Sequence, residues 1–515
     1  MRWRLVVTGV ALAVLFPLWV GQISGARIEG DPAAYVQMSA NLIRHGVISL
    51  DRAPPQRPSM YREPLPVFTT ALAMALSDRV HGRADVSDYL QGERARQLKM
   101  QNVPWALLLC GATGWAVYLL TRSFGAAMVA AVLAHVPLYG HWVCGTLDSL
   151  CTEPAAAGVL MLACAALTAA VTRQRQLAYL ALAGAAFGAL ALIKAAFLYV
   201  FAGLVIMLLA TQLLPALRRQ IGVSAAGLLV LIVCFGAVLS PWLYRNWQRF
   251  GVLEISGRSG DVLMLRATKN DMTPVEYLGA FYVWAPKPVR PLVGQVLGFG
   301  SQDLARGGRL QRLNRGDSDF HADDLAAERN GRPEDAISFH SRVRAERQRL
   351  RAQFIAAGHP HPEIATDEIL QQRALEHIRS HPWRHLAATL PFLWRGAALA
   401  LPLLLCALGY GLWRRRYDLV LFCLPAFLAV MFYGLLTHFI VRYGLPTWPV
   451  ALGAATVLIS IAYRAVREGS QQNLGARGRL AQARRAVLRH PSTREDAALY
   501  PPRDSEERQE SHRFE

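Results

Sequence analysis

Charge is scarce in this chain of 515 residues: 18% are charged, against about 25% in an ordinary soluble domain. That deficit, with 53% apolar residues and a mean hydropathy of +0.23, makes lipid the main solvent. It excludes collagen-like, disordered and small disulfide-scaffold classes. No C-x-x-C pair occurs among the seven cysteines (Cys110, Cys144, Cys151, Cys164, Cys234, Cys406 and Cys423). Most lie in apolar runs and read as small buried hydrophobes, not as zinc or redox ligands. Cys144 and Cys151 are close enough in sequence to pair in an oxidising compartment. The charge that is present is unbalanced, 55 Lys and Arg against 36 Asp and Glu, a formal +19. Nucleic acid would be implied only if the basic residues shared a face, and their positions deny it.

Long apolar runs are abundant. A crossing helix needs about 20 mostly apolar residues, and ten segments qualify: 5–23, 102–121, 124–143, 154–172, 177–193, 195–214, 221–243, 386–412, 417–437 and 446–463. Lys and Arg in short loops stay on the cytoplasmic side. Arg2 and Arg4, Arg122, Arg173 and Arg175, Arg218 and Arg219, Arg414 to Arg416 and the tail from Arg464 then all fall inside. Leu65 to Leu76 is an apolar run of 12 residues, about 18 Å of helix against a hydrocarbon core of about 30 Å. It lies in the interface or re-enters. The N-terminal run resembles a signal peptide, but its length and Trp19 favour a retained first span.

The expected fold is an all-α polytopic membrane protein of about ten transmembrane helices. Residues 1–243 form an N-terminal transmembrane module with a first outer loop at 22–100. Residues 244–385 form a small, mostly helical outer domain with nearly balanced charge, 21 Lys and Arg against 17 Asp and Glu. Residues 386–463 supply the last transmembrane helices, and 464–515 a basic cytoplasmic tail read as disordered. Both termini are expected in the cytoplasm.

The spans are nearly free of charge through their centres, whereas a transporter places ionisable residues near the midplane. Ionisable residues gather instead at the outer ends, which points to a site at the outer surface. In the first outer loop, Asp31 before Pro32 is a good N-cap for an amphipathic helix ending at Gly46; an acid at a cavity mouth is also suited to general-base work. Arg62 at headgroup depth offers a fork that fits phosphate, or else forms a surface pair with Glu63. Thr152 or Glu153 before Pro154 starts a helix near the positive end of its dipole. Asp148 and Glu153 do not share a helical face but can converge from a loop. Lys194 either snorkels outward or faces the cavity as a phosphate ligand. Beyond the seventh span, the aromatics around Pro241 read as an interfacial belt, and the last outer loop offers His438, Arg442 and Tyr443.

Taken in order, Gly30-Asp31…Tyr35, Arg62-Glu63-Pro64-Leu65-Pro66, Glu153-Pro154, Leu192-Ile193-Lys194, Pro241-Trp242…Arg245-Asn246, His381-Pro382-Trp383 and Arg442-Tyr443…Leu445-Pro446 resemble the GT-C class of membrane glycosyltransferases. These take sugar from a polyprenyl-phosphate carrier and include the protein O-mannosyltransferase and aminoarabinose transferase families. The resemblance implies a bacterial inner-membrane glycosyltransferase acting at the outer face, with an envelope glycolipid, polysaccharide or protein as acceptor. It implies Asp31 at the catalytic centre, helped by Glu153 or Asp148. It implies Arg62, Lys194, Arg245 and Arg442 as phosphate holders, with Tyr35, Asn246 and Tyr443 also binding substrate. Asp31-Pro32 stands where the protein mannosyltransferases carry Asp-Glu, which argues against a protein acceptor of their type. No cofactor is required; a divalent ion between Asp31 and Glu153 stays open, but two acids alone do not make a metal site. Two rival readings use the same residues: a non-enzymatic lipid or solute transporter such as a flippase, and a structural partner in an envelope-assembly complex.

Overall fold

The computed structural model describes residues 2–135, 146–314 and 318–489, and no β-strand occurs among them. The chain divides into two compact units, Met1–Ser460 and Ile461–Glu515. The first begins with α1 (Arg2–Gln22), α2 (Asp31–His45), α3 (Pro64–His81), α4 (Gly92–Lys99), α5 (Asn102–Thr121) and α6 (Phe124–Leu133). It continues with α7 (Glu153–Thr172), α8 (Gln176–Ile193), α9 (Ala196–Leu213), α10 (Pro215–Ile221) and α11 (Ala225–Phe250).

Between α11 and the next apolar helix lie α12 (Ser259–Ala267), α13 (Pro274–Val283), α14 (Arg290–Leu297), α15 (His321–Asn330), α16 (Phe339–Ala356) and α17 (Pro362–Ser380). The chain then returns to the bundle through α18 (Pro382–Ala397), α19 (Ala400–Trp413), α20 (Tyr417–Leu436), the single turn α21 (Val441–Gly444) and α22 (Trp448–Arg489). In the second unit α22 runs on to Arg489, so helix occupies the first part of the tail expected to lack structure. Residues 490–515 lie outside the described residues.

Seven helices among the described residues are long and apolar enough to cross a membrane, and an eighth crossing is made if α18 and α19, bent by 100°, count together. This is a polytopic all-α membrane fold. Of the ten expected spans, the first and third correspond to shorter apolar helices, Ala13–Gln22 and Phe124–Leu133; the rest of 124–143 falls largely outside the described residues. The expected span 386–412 is not straight: the bend falls at its middle. Leu65 to Leu76 lies within α3, which is not among the crossing helices.

Small residues decide what sits at the centre. α7 carries eight alanines among its 20 residues and is the most buried of the spans. Small side chains let backbones approach in lipid, where packing and not the hydrophobic effect joins helices. A Cβ on Gly158 would stand 3.0 Å from the Trp105 carbonyl of α5. On α8, one on Gly188 would meet the Phe235 carbonyl of α11 at 3.0 Å. α1 joins the bundle through Trp19, which packs with Val103, Ala106 and Leu147. Outside the bundle, α12 is fastened to α17 by Asp367, whose carboxylate accepts from the backbone N–H of Gly260 at 2.8 Å and of Asp261 at 2.9 Å. Only glycine fits at 260, because a Cβ there would run into the Asp367 backbone.

Candidate functional site

Gly30, at φ +65°, turns the chain into α2 and occupies the N-cap position. Asp31, expected as the cap, is instead the first helical residue and makes no capping bond. Its carboxylate is therefore available to other partners. Oδ1 is paired by Arg62, Oδ2 accepts from Arg442 Nη2 at 3.1 Å, and Arg258 Nη1 stands 3.9 Å from Oδ1. Arg442 also places Nε 3.3 Å from Glu153 Oε1, and that same oxygen accepts from Lys194 Nζ at 2.9 Å. Arg62, Asp31, Arg442, Glu153 and Lys194 thus form one continuous chain of alternating charge. The expected Arg62–Glu63 surface pair does not form: Arg62 is buried on Asp31, and Glu63 accepts from the Tyr35 hydroxyl at 3.1 Å.

Aromatic rings line this chain of charges. Tyr443 lies 5.3 Å from Lys194 Nζ and 5.7 Å from the Arg442 guanidinium, and Tyr35 lies 5.6 Å from that of Arg62. Burial raises the Asp31 carboxyl, but Arg62, with Arg258 and Arg442 behind it, outweighs burial and holds it well below the usual carboxylate range. Asp31 is ionised at every physiological pH, and as long as the guanidiniums stay it is a weak base.

These side chains close one end of a cavity of about 430 Å³. The other end is apolar. Leu198 and Tyr199 of α9, Phe432 and Leu436 of α20, and Leu253 line it, and the Tyr199 and Phe432 rings stack at 5.2 Å. Tyr199, Leu253 and Leu436 are among the exposed large apolar side chains. The cavity gathers the first residues of α7 and α9 and the last of α20, together with the chain that follows α8 and α11. Strictly alternating helices bring such ends to a single membrane face.

Seven of the ten expected site residues meet here: Asp31, Tyr35, Arg62, Glu153, Lys194, Arg442 and Tyr443. Three stand elsewhere. Asp148 accepts from the Ser24 N–H at 2.7 Å and pairs with Lys99 Nζ at 3.0 Å, fastening the start of the first loop. Arg245 packs 4.6 Å from the Trp242 ring and donates to Asn246 Oδ1 at 2.7 Å. Asn246 holds the Glu254 carbonyl at 2.6 Å. Both shape the chain leaving α11 and do not line the cavity. Cys151 lines it, while its suggested partner Cys144 lies outside the described residues.

Sequence reasoning missed Arg258, which sits in a segment so rich in arginine that no single one stands out. It links Asp31 to a second cluster, in which Arg258 (3.8 Å), Arg344 (3.5 Å) and Arg347 (3.9 Å) surround the Asp261 carboxylate. Tyr61 lies beside three guanidiniums, those of Arg62, Arg258 and Arg347, and its hydroxyl accepts from Arg347 at 3.1 Å. Burial raises that hydroxyl, but the cations win and hold it below the usual tyrosine value. Among the described residues no group of three His, Cys, Asp or Glu side chains is arranged to hold a metal ion; Arg442 is the cation that bridges Asp31 and Glu153.

No family model matches the chain, and no curated protein matches it. Among solved structures, it is similar to ArnT from Cupriavidus metallidurans in the apo state, at 16% identity over 86% of this chain and 77% of that one, with a TM-score of 0.35. It is likewise similar to the same protein bound to undecaprenyl phosphate, at 15% identity over 87% of this chain and 77% of that one, with a TM-score of 0.34.

Proposed function

We propose that the chain is a membrane glycosyltransferase that moves a sugar from a polyprenyl-phosphate carrier to an envelope acceptor at the outer face of the membrane, with inversion at the anomeric carbon. One observation carries this reading: a single cavity joins a cluster of four cations, Arg62, Lys194, Arg258 and Arg442, to an apolar flank supplied by the crossing helices α9 and α20. A donor with a phosphate head and an isoprenoid tail needs both.

The chemistry follows from the charges. The donor phosphate is a diester with one negative charge, and the departing lipid phosphate gains a second. Guanidiniums fixed at that oxygen therefore bind the product-like state more strongly than the ground state, which is the requirement for catalysis. Asp31 and Glu153 keep the cations in place while the cavity holds no donor. When the phosphate takes over Arg62 and Arg442, Asp31 loses the partners that made it a weak base. It can then accept the proton of the acceptor's hydroxyl or amine as that atom attacks the anomeric carbon. Donor binding thus switches on the base. Glu153 Oε2, buried with no hydrogen-bond partner among the described residues, is an acceptor for a sugar hydroxyl, since a buried oxygen left unpaired is costly. The scheme uses only the chain's own cations.

The test is a transfer assay with purified protein in lipid and a radiolabelled polyprenyl-phosphate sugar, alongside mass spectrometry of envelope glycans and glycolipids with and without the gene. Transfer of label, with one glycan species lost from the deletion strain, is expected. Movement of the intact donor across the bilayer, with no sugar transferred, would establish the flippase reading instead.

A further inference from the structure

α18 is amphipathic in an inverted sense. Trp383, Leu386 and Leu390, spaced to share one helical face, are exposed, Trp383 by 80%. The polar residues His385 and Thr389 are turned inward, where the His385 carbonyl and the Thr389 hydroxyl accept from Arg266 at 2.7 and 3.1 Å. In water this arrangement would be the wrong way round. The bend explains it. α19 carries exposed Leu405 and Leu412 and runs to the basic loop at Arg414–Arg416. With α19 along the membrane normal, an angle of 100° lays α18 nearly in the membrane plane.

Two helices from the preceding segment repeat the pattern beside it. α13 is tied to α18 by the Tyr277 hydroxyl, which donates to the Ala387 carbonyl at 3.2 Å, and by Trp394, which donates to the Phe281 carbonyl at 3.0 Å. Its Leu278 is exposed, while its acidic residue, Glu276, is buried on Arg312. α14 exposes Leu292 and Val296, the latter by 76%. Between α13 and α14, Lys287 and Arg290 form no ion pair among the described residues, and neither does Arg384 beside Trp383. Farther round the segment Arg306, Arg309, Arg312 and Arg332 are paired with carboxylates, and the arginines without an ion pair there, such as Arg329, have no exposed apolar helix face beside them among the described residues.

We infer that α13, α14 and α18 form one platform that sinks its apolar face into the headgroup layer, with Lys287, Arg290 and Arg384 on the phosphates of anionic phospholipid. Continuity with α19, which runs on to the basic loop at Arg414–Arg416, fixes the level, the outward apolar faces supply the insertion, and the uncommitted cations match the surface charge. The inference is independent of sugar transfer. It gives the segment between α11 and α18 a fixed height over the bilayer, transmitted through Arg266 to α12.

The full-length protein in nanodiscs of phosphatidylethanolamine and phosphatidylglycerol, carrying photoreactive benzoylphenylalanine at Leu292 or Val296, tests it. Positions Leu209, on the exposed face of α9, and Arg329, on α15, are the lipid-facing and water-facing references. Phospholipid adducts at 292 and 296 matching those at 209, with none at 329, are expected. Adducts at 209 alone would show the hairpin standing in water, and a covalent dimer through 296 would mean that a second copy covers it; either overturns the inference. Lys287→Glu with Arg290→Glu is expected to lower the adduct yield at 296 several-fold in phosphatidylglycerol but not in purely zwitterionic discs. Equal yields in both would remove the anionic headgroups from the proposal.

Discussion

Asp31 and Asp261 are each surrounded by three arginines, and Arg258 belongs to both sets. Asp31 is 37% exposed and directly paired, with Arg62 and Arg442 donating to its two oxygens. Asp261 is 1% exposed, its nearest guanidinium nitrogen is 3.5 Å away, and neither oxygen has a hydrogen-bond partner among the described residues. The same side chains in nearly the same number thus make a surface that a ligand can compete for and a strut that none can reach. Accessibility separates them, and composition does not.

The largest expected effect distinguishes the two. Asp31→Asn should lower turnover by about 10²- to 10⁴-fold, the usual worth of a general base, while its melting temperature in detergent falls by less than that of Asp261→Asn. Full activity in that variant would remove Asp31 from the mechanism. Asp261→Asn should do the reverse. Three half-buried guanidiniums would lose a shared counter-charge, although Arg347 keeps Glu363 and Arg258 keeps Asp31, at a cost of up to about 3–5 kcal/mol, visible as a lower melting temperature; an unchanged one would show that the second cluster carries no structural weight.

A smaller effect concerns pH. Asp31 has a folded pKa below its unfolded value of about 3.9, so its contribution to stability is complete above that value and is lost as pH falls through the folded one. The stability difference between wild type and Asp31→Asn should stay constant from pH 8 to about pH 5 and close only below about pH 4. A gap that already narrows at pH 6 would contradict the arginine clamp. The smallest effect is at Glu254, in the cavity wall, whose carboxyl is raised by burial and by Asp367 and Glu368. Its charged form opposes folding, so Glu254→Gln should raise the melting temperature slightly at pH 8. The gain should vanish in acid, where the wild-type carboxyl is protonated.

Much of the bundle was legible because apolar length and basic loops are local properties. The gathering of polar residues at span ends named Asp31, Arg62, Glu153, Lys194 and Arg442, which the fold brings to one cavity. What stayed hidden is tertiary. Asp148 and Glu153 were indistinguishable by sequence, since only the folded loop turns one toward Lys99 and the other toward Lys194. Arg245 resembled a phosphate ligand because a stacked arginine and a ligand arginine have the same neighbours in sequence. Asp31 before Pro32 resembled a cap because the φ of Gly30, which displaces it, is not written in a one-letter code.

The bond between Asp31 and Arg442 joins residues 411 positions apart, with a consequence for biogenesis. Asp31 leaves the ribosome among the first residues, and its second partner arrives only when the last apolar segment is made. Until then Glu153 has Lys194 and Asp31 has Arg62, so a nascent chain already carrying most of its helices holds two separate ion pairs and no cation joining them. The link between the two ion pairs, and not their neutralisation, is what a chain truncated before residue 442 would lack.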